Sequence, residues 1–156
     1  GVPEKDNSDW DRKLFNDGVA EQRKANAIAL DKRGKAYETA SFINSKDKRA
    51  AYAKADVARV KILEERSNVI AQISSRAKAG SSTTEEFNSA LTAQKKAFAA
   101  KLDANMEALK AAVAAANKAK VDAFEAADKQ LAADRKTALM ALSAKLEAAG
   151  YGFYLN

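Results

Sequence analysis

Apolar side chains recur along this chain at spacings of three and four, and the longest unbroken run of that pattern lies in its second half. From Thr84 to Ala149 there is neither glycine nor proline over 66 residues. Within that stretch Phe87 and Leu91 recur eleven residues on as Phe98 and Leu102, then as Leu109 and Val113. The next pairs are Lys120 and Phe124, Leu131 and Arg135, and Leu142 and Leu146. Ten of these twelve positions are apolar, and Lys120 and Arg135 break the pattern. Eleven residues over three turns give about 3.67 per turn, which predicts a straight or slightly right-handed packing stripe rather than a left-handed heptad seam.

The first half is less regular. Ser8 is placed to cap a helix, with Asp9 and Asp11 at the positive end of its dipole. Trp10, Leu14, Phe15, Val19, Ile28 and Leu30 then form an imperfect apolar face that continues to Tyr37, Phe42 and Ile43. Asn44-Ser45 is a candidate boundary, with Ser45 as a cap for a further helix carrying Tyr52, Ile62, Leu63, Val69, Ile70 and Ile73. The clearest break is Gly80-Ser81-Ser82-Thr83: the glycine suits a helix C-terminus, and Thr83 with Glu86, or Ser82 with Glu85, makes a capping-box pattern. The expected organisation is one helical domain over 1–156. Its parts are a tail (1–7), a first arm (8–79), a turn (80–83), a second arm (84–149) and an aromatic tail (150–156).

Composition strengthens the helical reading. Of the 47% hydrophobic residues, 37 are alanine, a strong helix former that buries little area. The large apolar residues number 36, enough for a slender core. The fold class expected is all-α, an elongated antiparallel bundle or long helical hairpin of about three to four helices.

Chemistry is constrained by what is missing. The chain has no cysteine and no histidine, so it lacks thiol nucleophiles, thiolate ligands and the commonest general base and metal ligand. The adjacent pairs Glu64-Glu65 and Glu85-Glu86 diverge by about 100° on a helix and cannot converge on one site. No catalytic, cofactor-binding or metal-ligating residue is assigned, no cofactor is expected, and an enzyme is not expected.

Charge directs attention to partners. The net charge is +6; residues 1–80 hold 17 basic and 12 acidic groups, residues 81–156 hold 10 and 9. Basic pairs such as Arg12-Lys13, Arg23-Lys24 and Lys95-Lys96 alternate with acids, which disfavours nucleic acid and suits a solvated helix face. Tyr151, Phe153, Tyr154 and Leu155 are apolar beyond the last helix; with Trp10 they are the candidate partner-docking residues. The alanine- and lysine-rich composition with an eleven-residue period resembles late-embryogenesis-abundant proteins, in composition and period and in no motif. That resemblance implies a peripheral lipid-binding or stress-protective role. No stretch approaches 18 apolar residues. The chain begins Gly-Val-Pro, from which a removed leader and a periplasmic, secreted or organelle-lumen location are expected. The leading functional expectation is a non-catalytic accessory subunit docking on a larger protein assembly, such as an extrinsic subunit of a membrane complex. The alternatives are peripheral contact with a membrane or acidic surface, and nucleic-acid association.

Overall fold

A computed structural model of the protein describes residues 9–150, with side chains from residue 12 onward. Among these residues there are two α-helices and no strand: α1 is Asp9–Lys78 and α2 is Thr84–Ala148. The expected class is all-α and so is the structure, but the expected three to four helices are two. The candidate boundary at Asn44-Ser45 does not break α1. Asn44, a residue that usually stops or caps helices, is buried inside α1. There its side-chain Nδ2 donates to Asn117 Oδ1 at 3.1 Å, so the amide is satisfied without leaving the helix.

The connection between the helices is made by hydrogen bonds that few sequences supply. Gly80 adopts φ 72°, a left-handed conformation that costs a glycine nothing. Its N–H donates to Ala77 O at 3.1 Å and the Ser81 N–H donates to Arg76 O at 2.9 Å, the paired bonds of a Schellman end. Two residues later α2 is capped reciprocally. The Glu86 N–H donates to Thr83 Oγ1 at 3.1 Å, and the Thr83 N–H donates to Glu86 Oε1 at 3.3 Å.

Two compact units divide the chain, and each helix runs through both. Unit 1 takes α1 up to Phe42 and α2 from Lys120; unit 2 is Ile43–Ala119, a helical hairpin containing the turn. In both units the helices are antiparallel and touch along rows that repeat every eleven residues. On α2 the row Phe98, Leu109, Lys120, Leu131, Leu142 and the row Leu102, Val113, Phe124, Leu146 are buried or half-buried, as the stripe predicts. A third row, Gln94, Asn105, Ala116, Ala127 and Ala138, belongs to the same seam and carries no bulky apolar signal. Lys120 holds its place by laying its stem along the seam, its ammonium 5.5 Å from the Phe124 ring centre. Arg135 is exposed and Asp134 is half-buried in its stead.

The seam of α1 follows the same period with a different composition. Its innermost positions include Gly18, Ala29, Ala40 and Asn44, with Gln22, Asn26, Arg33, Tyr37, Lys48, Ala51 and Ala55 beside them. Several bulky residues expected on the core face instead face solvent: Ile28, Leu30, Phe42, Ile43, Tyr52 and Leu63 are all exposed. Unit 1 owns the large buried leucines Leu131, Leu142 and Leu146, whereas the fully buried residues of unit 2 are Asn44 and Ala116. Leu146 is only 2% exposed, and close packing there depends on Gly18, where an added Cβ would lie 2.6 Å from Leu142 Cδ1.

The two glycines inside α1 therefore differ. An added Cβ at exposed Gly34 meets nothing within 4 Å. Gly34→Ala is expected to stabilise the protein by about 1 kcal/mol, the difference in helix propensity. Gly18→Ala is expected to gain clearly less, because Leu142 must turn aside. Thermal unfolding followed by circular dichroism checks both; equal gains from the two variants would contradict the packing described.

Candidate docking surface

In each unit, contacts across the seam distinguish its two flanks. On one flank lie the cross-helix ion pairs, Lys145 Nζ to Glu21 Oε1 at 3.2 Å in unit 1 and Lys101 Nζ to Glu65 Oε2 at 2.9 Å in unit 2. Both are largely solvated, so each contributes at most about 1 kcal/mol; their main effect is on pairing register. Arg66 in unit 2 stacks on the Phe98 ring at 4.5 Å, beside an open groove that Ile62 and Val69 also line.

The other flank is marked by Asn117 and Asp128 of α2. Asn117 accepts from Asn44 in unit 2, and Asp128 meets Arg33 and Tyr37 in unit 1. Residues eleven apart stack in one row on such helices. Counting by eleven from Asn117 and Asp128 puts Met106 and Lys95 on this flank of unit 2, and Leu139 on this flank of unit 1. On α1 the corresponding row is Val19 and Leu30 in unit 1, and Tyr52 and Leu63 in unit 2. Tyr52 is 53% exposed, Leu63 43% and Met106 52%, although each sits directly beside the seam.

A polar cluster joins the two helices in unit 1. Tyr37 stacks on Phe124 with ring centres 3.9 Å apart and planes within 1°. Its hydroxyl donates to Asp128 Oδ1, while Arg33 lies 5.5 Å from the Tyr37 ring and 3.7 Å from the same carboxylate. The hydrogen bond to Asp128, then loss of water, then the charge of Asp128 raise the Tyr37 pKa above the ordinary 10.0, against a lowering by Arg33. A tyrosine serving as base or nucleophile needs the opposite shift. The cluster is a packing and register device.

Among the described residues no group of three or more acidic, histidine or cysteine side chains is arranged to hold a metal ion. No described helix is long and apolar enough to cross a membrane. No family model, curated protein or solved structure matches the chain. The arrangement of its own side chains is therefore the ground for any functional reading.

Of the docking residues expected from sequence, Trp10 falls in the first turn of α1 with its side chain outside the described residues. Tyr151, Phe153, Tyr154 and Leu155 also lie outside them. The surface residues that sequence reading missed as a group are Leu30, Tyr52, Leu63, Met106 and Leu139. On α1 their signal is a spacing in multiples of eleven, with Ser41 between Leu30 and Tyr52, and on α2 Met106 and Leu139 are separated in their row by the polar Asn117 and Asp128.

The raised Tyr37 pKa has a consequence for stability. Its stabilising share is complete below the unfolded value of about 10 and is lost as pH rises through the higher folded value. Absorbance titration at alkaline pH, taken as the difference between the native chain and Tyr37→Phe, is expected to show Tyr37 ionising above 10.0. Asp128→Asn is expected to move that ionisation down, and an unchanged midpoint in this variant would remove Asp128 as the cause.

Proposed function

We propose that this chain is a non-catalytic accessory subunit that docks on a larger assembly through the apolar flank of its helix pair. The observation that supports this reading is the row of exposed Tyr52, Leu63 and Met106 beside a seam whose fully buried residues in unit 2 are one alanine and one asparagine. A helix pair with so little buried apolar area gains from a further surface laid over that row, at about 25 cal/mol for each Å² removed from water. The five terminal candidates, Trp10, Tyr151, Phe153, Tyr154 and Leu155, are aromatic or aliphatic anchors of the kind that dominate protein interfaces, and they extend the same reading. The missing thiol and imidazole chemistry is consistent with a binding role.

Size fractionation of a gentle native extract tests the proposal. The native chain is expected to migrate with a large complex, and the triple variant Tyr52→Ser, Leu63→Ser, Met106→Ser to migrate near its own 16.7 kDa. Because these side chains are exposed, the variant is expected to melt within a few degrees of the native chain. Migration of the native chain alone would sink the proposal.

A further inference from the structure

The folded arrangement redistributes the charge in a way that chain order conceals. Unit 1, counted over 1–42 and 120–156, holds 13 basic and 13 acidic residues and is neutral. Unit 2, residues 43–119, holds 14 basic and 8 acidic residues, so the entire net charge of +6 belongs to it. Much of that charge is also uncompensated locally. Lys46, Lys48, Arg49, Lys54, Arg59 and Lys61 form no ion pair among the described residues.

Some of these cations interleave with the exposed apolar row. Lys48, Tyr52, Arg59 and Leu63 follow at spacings of four, seven and four, one continuous stripe on a helix. Across the seam Lys95 precedes Met106 by eleven and shares its row. Asp56 and Asp103 lie at the outer edge of this flank, leaving a positive excess. We infer that the Tyr52–Leu63 flank of unit 2 rests on an anionic lipid surface, with Arg59 and Lys95 at the headgroups and Tyr52, Leu63 and Met106 at the acyl boundary.

Three features favour this occupant. Apolar and cationic side chains alternate in one stripe, the pattern of helices lying in a membrane interface. Tyr52, Leu63 and Met106 line none of the unit 2 grooves at Phe98, Ala116 and Asn105, which suits a fluid boundary that closes around each side chain. A second copy of unit 2 is disfavoured because it would bring +6 against +6. Nucleic acid would leave Leu63 and Met106 without contacts, since its affinity comes from phosphate neutralisation and base stacking. The inference assigns lipid to the same Tyr52, Leu63 and Met106 row that the docking proposal gives to protein, so the two compete for that row and vesicles free of protein separate them.

Flotation of the full chain with vesicles tests it. The probes are phosphatidylcholine alone and phosphatidylcholine with about one-third phosphatidylglycerol, in salt from about 0.05 to 0.5 M. Binding is expected on the anionic vesicles only, weakening as salt rises. Arg59→Glu and Lys95→Glu together are expected to cut partitioning by at least about twenty-fivefold, at roughly fivefold for each charge. The control Lys129→Glu, Lys136→Glu makes the same change of net charge in unit 1 and is expected to cut it far less. Circular dichroism confirms that each variant is helical. Leu63→Gln, which leaves all charges in place, is expected to reduce partitioning several-fold and so reports on the apolar half of the stripe. Absence of binding, equal losses in the two charge variants, or equal binding to duplex DNA would each overturn the inference. If vesicles fail while the chain still migrates with a protein complex, the lipid inference falls and the docking proposal stands.

Discussion

Close approach of two helices through small residues is the constraint on which the rest of this structure depends. Alanine at positions 29, 40, 116, 127 and 138, with Gly18, lets the helices meet where larger side chains would hold them apart. That geometry yields little hydrophobic stabilisation per residue, because an alanine methyl buries little area. It also limits where bulky side chains can go. Leucines fill unit 1 beside Gly18, while Leu30 and Leu139 in unit 1 and Tyr52, Leu63 and Met106 in unit 2 lie exposed on the flank.

Specific polar contacts supply what an alanine seam cannot, a unique register. Alanine rows are nearly interchangeable from one repeat to the next, so a slip of eleven residues would cost them little. Asn44 with Asn117, and the Asn105 Nδ2 donating to Ala55 O at 2.9 Å, bind positions that a slip would leave unsatisfied. The Tyr37, Phe124, Arg33 and Asp128 cluster does the same in unit 1. Ser143, only 2% exposed and with no hydrogen-bond partner for its hydroxyl among the described residues, is a local cost of the tight packing around Leu142 and Leu146.

Much of this was legible in the chain before the structure. The α2 stripe announced itself because its two main rows are bulky and uninterrupted by glycine. The turn could be read because Gly80, Thr83 and Glu86 each have a narrow local role that tertiary packing rarely overrides. The continuity of α1 was not legible: Asn44-Ser45 carries a local capping signal, and the residue that overrides it, Asn117, is 73 positions away. The α1 seam was hidden for a related reason, since Gln22, Asn26 and Arg33 look like solvent-facing positions until the partner helix covers them. Charge misled in its own way. Halving the chain at the turn put the positive excess in the first arm, whereas the units are cut across both arms, and that partition leaves one unit neutral.

The eleven-residue period also sets how such a chain can change its length. Three turns return every row to its starting azimuth, so removing or adding eleven residues in each helix at facing positions leaves all surviving rows in phase. Insertions of any other small number would rotate every later side chain away from its partner on the opposite helix. Eleven residues is therefore the natural quantum of growth and shrinkage for this architecture, and length variants of the protein should differ by multiples of it in both helices at once.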